Sequence, residues 1–161
     1  MRCDIFEQIM SIFNGLLIKL GLKSYKVDRS AISIFVLDDD HRRHRWFKKR
    51  FAGDDLDLAE TPDEAKNFLS KYAYDAIFLD HDLLPEHYEM KELEDYSLTG
   101  YEVARWLHEN KDLQRAATVI VHTRNADAAI RMVEILRESG RQVEYVPFPM
   151  LDVKIKNYWK R

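Results

Sequence analysis

Three short apolar runs in this chain each end in a cluster of acidic residues or histidine. The runs cover 32–37, 76–79 and 117–121, and the clusters that follow them read DDDH (38–41), DHD (80–82) and HTRN (122–125). Short apolar runs that are rich in β-branched or aromatic residues and bounded by polar ones predict buried strands. Apolar residues at helical spacing fill the segments between them. This alternation predicts a parallel sheet with helices on both faces.

The complete pattern predicts an α/β domain with a five-stranded, doubly wound parallel sheet of the flavodoxin-like type. The predicted strands are 32–38, 56–59, 75–80, 117–122 and 143–148, and the predicted helices are 41–52, 61–72, 99–109 and 126–139. Because the carboxyl ends of parallel strands meet at one edge of a sheet, the three polar clusters are expected to lie together there.

The segments outside this pattern allow fewer predictions. Apolar residues at helical spacing predict an amphipathic helix over 4–20, followed by a linker to residue 30. We expect this helix to pack on the sheet domain (31–149), on a second copy of the chain or on a partner protein. Residues 85–97 are polar and rich in Glu, which fits either a lid beside the site or a solvated insertion, and 150–161 is expected to be a short tail.

Composition excludes several classes of protein. At 161 residues the chain is of single-domain size, and its net charge of −3 argues against a dedicated nucleic-acid binder. A lone cysteine, Cys3, suggests a reducing compartment, so a cytoplasmic location is expected. No apolar stretch is long enough to predict a membrane span, and the first 20 residues do not resemble a signal peptide.

The acidic residues at the predicted sheet edge suit a divalent metal. Asp38, Asp39 and Asp80 offer hard oxygen ligands of the kind that Mg²⁺ and Mn²⁺ prefer. Crowded carboxylates raise one another's pKa unless a cation lies among them, which favours a metal site. Asp82 could support these ligands without contacting the ion. Asp39 or Asp40 could instead serve only as the cap of the helix that starts at 41, and for Asp40 the two roles are equally open.

Histidine and basic residues at the same edge suggest acid–base chemistry on a phosphate. His81 and His122 could act as base or acid, and Arg124 or the amides after Asn125 could face a phosphate. His122 could instead be a hydrogen-bonded residue under a loop, because it reaches the site together with Thr123 only if the strand has already ended.

The basic helix predicted over 41–52 has a less specific interpretation. His41, His44 and the arginines and lysines of this helix are expected to face solvent, with attraction of a phosphate as the alternative. Trp46 and Trp106 are expected to belong to the core rather than to a surface on which a base could stack.

Several segments resemble the receiver domain of response regulators over about residues 31–149. V-L-D-D-D (36–40) resembles the acidic pair that binds metal in receivers, and I-F-L-D (77–80) resembles the segment with the phosphoaccepting aspartate, which implies Asp80. V-I-V-H-T (119–123) resembles the segment with the switch hydroxyl, here Thr123, and Gly100 matches a glycine after the phosphorylation loop. One departure is Val146, which stands where receivers carry a lysine that pairs with the phosphoryl group.

Other segments are similar to a divergent subfamily, the cyclic-phosphate-processing receivers. They are F-L-D-H-D-L (78–83), T-G-Y-E-V-A-R-W-L (99–107) and V-H-T-R-N (121–125), with Arg131-Met132 beyond them. This subfamily is associated with nucleotide signals and RNA-end chemistry. The resemblance implies a metal-dependent phosphoesterase that acts on a cyclic phosphate of a nucleotide or an RNA end.

The residues together predict three sets of site residues for such an enzyme. The catalytic set is His81, His122 and Asp80; the substrate-binding set is Thr123, Arg124 and Asn125; the metal-binding set is Asp38, Asp39 and Asp80. Two other functions stay open. One is a signalling receiver that is phosphorylated on Asp80 or acts by protein contact, and the other is a nucleotide-binding module without turnover.

Overall fold

The structure, a computed structural model, describes residues 30–83 and 98–159. Within them, Ala31–Tyr158 forms one compact unit. The helix predicted over 4–20 and the polar segment 85–97 lie outside the described residues, so their predicted roles stay predictions. Among the helices that the structure describes, none is long and apolar enough to cross a membrane.

The centre of the unit is a five-stranded sheet in which all neighbouring strands are parallel. The strands are β1 (Ser33–Leu37), β2 (Asp55–Ala59), β3 (Ala76–Leu79), β4 (Thr118–Val121) and β5 (Gln142–Tyr145), in the spatial order β2-β1-β3-β4-β5. The main helices are α1 (His41–Arg50), α2 (Pro62–Lys71), α3 (Gly100–Glu109) and α4 (Ala126–Glu138). This strand order is that of flavodoxin-like folds, so the predicted fold class is confirmed.

Alternate residues of the central strands face two different sets of helices. On one side, Phe35, Leu37, Ile77 and Leu79 join a core with buried residues of α2, α3 and α4. On the other side Phe78 contacts two aromatic rings near α1, with ring centroids 5.0 and 5.7 Å away. The period-2 alternation of strand side chains explains this division, and it leaves α1 beside the polar edge of the sheet.

Capping side chains fix where three helices begin. Asp40 accepts a hydrogen bond from the backbone N–H of Arg42 (2.7 Å), Thr61 from Glu64 (3.3 Å) and Asn125 from Ala128 (3.1 Å). Each satisfies an N–H group that has no partner inside its helix. Asp40 therefore serves as a helix cap, one of the two roles that the sequence allowed.

The carboxyl-terminal part of the unit differs most from the prediction. The fifth strand ends at Tyr145 rather than at 148, because the chain turns at Pro147 into a single 3₁₀ turn over Phe148–Met150. Residues that were expected to form a tail continue as α5 (Leu151–Lys154) and a further turn, Ile155–Asn157. Leu151 and Ile155 are fully buried, and the guanidinium of Arg50 donates to the Ile155 carbonyl oxygen over 3.1 Å.

Gly100 holds the first turn of α3 against the end of β3. Its N–H donates to the His81 carbonyl oxygen (2.9 Å), and a Cβ atom on it would lie only 1.7 Å from the Asp80 carbonyl oxygen. We expect Gly100→Ala to lower the free energy of unfolding by roughly 3 kcal/mol or more, because backbone must move to admit the methyl group. Urea denaturation measures the loss.

Gly140→Ala is the matched control for this substitution. Gly140 has a φ of +83°, and a Cβ atom on it would meet no neighbouring atom within 4 Å. Its replacement therefore costs about 1–2 kcal/mol of backbone strain alone. Equal losses of unfolding free energy in the two variants would show that the close backbone approach at Gly100 does not determine stability.

Candidate functional site

The ends of the three central strands bring two carboxylates and an imidazole together. Leu37 pairs in register with Leu79, and Leu79 pairs with Val121. Asp38, Asp80 and His122 directly follow these three residues, so they lie side by side at the edge of the sheet. All three side chains are buried, and one ligand atom from each lies within 4.8 Å of the others. The predicted meeting of acids and histidine at the carboxyl edge is thus observed for these three residues.

The guanidinium of Arg43 is inserted among the acids. Its Nη2 atom lies 2.7 Å from Asp80 Oδ2 and 3.3 Å from Asp39 Oδ1, and its Nε atom lies 2.9 Å from Asp38 Oδ1. Arg43 is only 8% exposed. The prediction that the basic residues of this helix face solvent is wrong for Arg43, because α1 begins directly at the acidic cluster and its first turn faces the carboxylates.

The pocket around Asp80 still favours an additional positive charge, although Arg43 already lies there. Burial raises the pKa of Asp80, while His122 and Arg43 act in the opposite direction and Asp38 adds to the rise. The contact of Asp80 Oδ2 with Arg43 is short but not aligned as a hydrogen bond, so this oxygen has no aligned donor among the described residues. A buried carboxylate oxygen in this situation suits a cation.

His122 is the imidazole that belongs to the acidic cluster. Its Nε2 atom lies 2.8 Å from Asp38 Oδ2, and its ring packs against Phe47, Phe78 and Phe148. Since a carboxylate accepts, Nε2 carries the proton of this hydrogen bond. Its Nδ1 atom is buried and has no hydrogen-bond partner among the described residues. The hydrogen bond to Asp38 therefore fixes the tautomer and the orientation of the ring.

His81 and Thr123 belong to a second group, built around Asp82. His81 Nδ1 lies 2.7 Å from Asp82 Oδ1, and the Thr123 hydroxyl donates to Asp82 Oδ2 over 3.4 Å. All three residues are buried. The backbone of His81 also contacts Asp80 of the acidic cluster: its N–H donates to Asp80 Oδ1 over 2.8 Å. Asp82 is thus a partner of His81 and Thr123.

A cleft of about 650 Å³ opens beside the acidic group. Its lining consists of two acids, three arginines and two aromatic residues: Asp39, Asp40, Arg42, Arg43, Trp46, Arg124 and Phe148. Arg124 is exposed on this wall, whereas Asn125 is used as the cap of α4. Trp46, expected in the core, is half-buried: its ring packs on Phe148 with centroids 5.3 Å apart and also faces the cleft.

Two residues of the site region could not be assigned from the sequence. The charge pattern places Arg43 and His44 on the solvated face of a basic helix, but His44 is only 6% exposed and its Nε2 lies 2.6 Å from the Asp38 carbonyl oxygen. Their spacing from Asp40 could have indicated this burial, because both lie in the first turn of the helix, where its end meets the edge of the sheet. His41 is exposed, as predicted.

The position expected to carry a lysine in receivers has no charge here. Val146 follows β5 directly, its N–H donates to the Val121 carbonyl oxygen (2.9 Å), and its side chain is buried. The positive charge next to Asp80 comes instead from Arg43 of α1.

The strand order and the acids after β1 and β3 define a receiver-type domain, and solved structures share its fold. The signal receiver domain of a putative LuxO repressor protein from Vibrio parahaemolyticus is 18% identical, with a TM-score of 0.56 over 80% of this chain and 86% of that one. Response regulator TrrA from Thermotoga maritima, solved in complex with Mg²⁺ and BeF, is 20% identical, with a TM-score of 0.53 over 78% and 95%.

A histidine-kinase receiver domain from Syntrophus aciditrophicus is 23% identical, with a TM-score of 0.55 over 80% of this chain and 86% of that one. Among curated proteins, no sequence matches. The family model of the cyclic-phosphate processing receiver domain matches residues 32–138. The chain therefore belongs to the cyclic-phosphate processing receiver family.

Proposed function

We propose that this domain is a divalent-metal-dependent phosphoesterase that opens a cyclic phosphate of a nucleotide or of an RNA end. One observation carries the proposal: a cleft with arginines on its wall opens beside a buried group of two carboxylates and a histidine. Such a cleft attracts a phosphate anion, and the buried group offers both metal ligands and a proton carrier. The family membership supports the same class of substrate.

The donor set fits a hard cation such as Mg²⁺ or Mn²⁺. Asp38, Asp39 and Asp80 would hold the ion, since each already contacts the guanidinium of Arg43. When bound, the ion would activate water and neutralise charge on the phosphate. Arg43 would then turn from the acids toward the cleft that it also lines, where its charge would face the substrate.

The remaining residues have roles that follow from their places. Arg42 and Arg124 on the cleft wall would bind phosphate oxygens, and the half-buried ring of Trp46 would contact the base or sugar. Opening the ring also requires a proton for the departing alkoxide. The attacking water releases one, and His122, whose Nε2 atom lies 2.8 Å from Asp38 Oδ2, would pass it on to the alkoxide.

A screen of 2′,3′- and 3′,5′-cyclic nucleotides with Mg²⁺ or Mn²⁺, read by chromatography of the products, tests the proposal. We expect a monophosphate product from at least one substrate, metal-dependent and at least about 10²-fold slower in Asp80→Asn. That variant removes one charged ligand but keeps the side-chain volume. Metal-independent turnover, or full activity in Asp80→Asn, would contradict the mechanism, and nucleotide binding without product would indicate a binding module.

The second candidate function is a signalling receiver phosphorylated on Asp80. It is favoured by the place of Asp80 at the end of β3 and by the fold shared with response regulators, one of them solved with Mg²⁺ and BeF. Against it, Val146 stands where the lysine of receivers is expected, and Asp80 is only 1% exposed. Mass spectrometry after incubation with a small phosphodonor distinguishes the candidates: a phosphate on Asp80 without any cyclic-phosphate hydrolysis would favour the receiver.

A further inference from the structure

A second group of possible metal ligands lies on the outer side of α1, apart from the acidic cluster. It consists of His41 and His44, one turn apart on α1, and Glu60, which follows β2. Glu60 Oε1 lies 3.4 Å from His41 Nδ1 and 3.9 Å from His44 Nδ1. One ligand atom from each residue lies within 4.8 Å of the others. We refer to these three residues as the His-His-Glu group.

The hydrogen bond of His44 fixes which of its nitrogens faces this group. Its Nε2 atom lies 2.6 Å from the Asp38 carbonyl oxygen. A carbonyl oxygen only accepts, so Nε2 must carry a hydrogen, and in the neutral ring Nδ1 then presents its lone pair. Histidines that bind metals usually donate their other ring N–H to a carbonyl or carboxylate, which fixes the tautomer and the ring orientation. His44 is held in that arrangement in a largely buried position.

We propose that the His-His-Glu group binds a transition-metal ion, with Zn²⁺ as the favoured ion. Two imidazoles and one carboxylate form a common three-ligand set for zinc, with the fourth position left to water. Ligands about 2.0–2.1 Å from a tetrahedral zinc ion lie about 3.3 Å from one another. The separations of 3.4 and 3.9 Å from Glu60 Oε1 are close to this value, and the histidine ligand atoms, within 4.8 Å of each other, would draw together on binding.

The surroundings leave room for the fourth ligand. The group lies on a surface depression of about 640 Å³ that is also lined by Lys48, Leu58, Glu64 and Phe68. His41 and Glu60 are well exposed, with 73% and 49% of their side-chain surface accessible, so an ion can reach them from solvent. An ion here would connect the start of α1 to the end of β2. Through the His44 hydrogen bond it would also stabilise the backbone of Asp38.

The two sites differ in chemistry and can therefore be tested separately. The acidic cluster offers carboxylate oxygens, which suit Mg²⁺ or Mn²⁺, whereas imidazole nitrogens favour Zn²⁺, Co²⁺ or Ni²⁺. The competing explanation for the His-His-Glu group is an ion pair between a protonated histidine and Glu60. Such a pair needs no metal and gives no spectroscopic signal with cobalt.

Calorimetry with Zn²⁺ and visible absorption with Co²⁺, both on the full chain, test the site. We expect a Zn²⁺ site that is retained in Asp80→Asn, with Co²⁺ giving the visible absorption of a tetrahedral ion in that variant. His41→Ala and Glu60→Gln should each weaken Zn²⁺ binding at least about 10-fold, because each removes one of three ligands. Since both side chains are exposed, neither change should disturb folding, and circular dichroism checks the fold of each variant.

His108→Ala is the matched control, since His108 contacts the Ile135 carbonyl oxygen and takes no part in the group. It should bind Zn²⁺ as tightly as the wild type. No Zn²⁺ binding by the wild type, or undiminished binding by His41→Ala and Glu60→Gln, would overturn the proposal. Loss of Zn²⁺ binding in Asp80→Asn would also overturn it, because the ion would then belong to the acidic cluster.

Discussion

Replacing Arg43 with Gln is expected to lower the free energy of unfolding at neutral pH by about 3–5 kcal/mol, the usual cost of breaking a buried ion pair from one side. Arg43 contacts Asp38, Asp39 and Asp80, and both Asp38 and Asp80 are buried. Glutamine retains polarity but supplies no charge, so these carboxylates would repel one another in a medium of low dielectric. Urea denaturation at pH 7 measures the loss.

Arg42→Gln is the matched control on the neighbouring residue. The Arg42 side chain is 82% exposed and pairs with Asp40 at the surface, so its loss should change stability by about 1 kcal/mol or less. Millimolar Mn²⁺ should restore stability to Arg43→Gln more than to the wild type, because the ion can replace the missing charge among the acids. A stability loss no larger than that of Arg42→Gln would show that Arg43 does not neutralise the cluster.

The pH dependence of this loss has a definite sign. Burial raises the pKa of Asp80 above its ordinary value of 3.8, so the folded state binds a proton that the unfolded state has already released. The contribution of Asp80 to stability is therefore full below its ordinary pKa and is lost as the pH rises through the raised pKa. Removing Arg43 raises this pKa further. The difference between Arg43→Gln and the wild type should consequently become smaller as the pH is lowered.

The sequence pattern was sufficient for the sheet and for the centre of the acidic cluster. Asp38, Asp80 and His122 each follow an apolar run, and in a parallel sheet residues that follow neighbouring strands must meet. No side-chain detail was needed for this prediction, because strand register alone determines it. The starts of the helices at Thr61 and Asn125 depend on local sequence, because each of these side chains caps the helix that follows it directly.

The position of Arg43 could not be obtained in this way. A run of basic residues on a helix is compatible with many rotations of that helix about its axis, and the apolar stripe indicates only which side meets the sheet. Whether the first turn reaches the acids depends on the three-dimensional junction between β1 and α1, where Asp40 caps the helix. The burial of His44 escaped prediction for the same reason, since the backbone carbonyl that it contacts leaves no mark in the sequence.

Which of the two predicted catalytic histidines lies in the acidic cluster also depended on geometry. His122 directly follows its strand in register with Asp80, whereas His81 is one residue further along than Asp80. Successive residues of an extended chain point in opposite directions, and His81 is found against Asp82 together with Thr123. A role in catalysis stays a prediction for both histidines, and His122 is the one whose ring contacts the Asp38 carboxylate.

His122→Gln is therefore expected to reduce turnover of the cyclic phosphate identified in the screen by about 10²–10⁴-fold, the usual contribution of a positioned acid or base. In the wild type, His122 Nε2 lies 2.8 Å from Asp38 Oδ2. Glutamine can still donate a hydrogen bond to Asp38, but it cannot gain or lose a proton. Affinity for Mn²⁺ should change by only a few-fold, because the carboxylates carry metal binding. Steady-state kinetics and calorimetry on the same preparation separate these two effects.

Two further histidine variants make this result specific. His108→Gln alters a histidine of α3 that contacts the Ile135 carbonyl oxygen and takes no part in the cluster, so it should leave the rate unchanged. His81→Gln should slow turnover less than His122→Gln, because His81 faces Asp82 rather than the Asp38 and Asp80 carboxylates. If His81→Gln instead gave the larger loss, the proton would travel through the Asp82 group. If neither variant slowed the reaction, imidazole would have no part in proton transfer, and the acids and the arginines of the cleft would have to account for the chemistry.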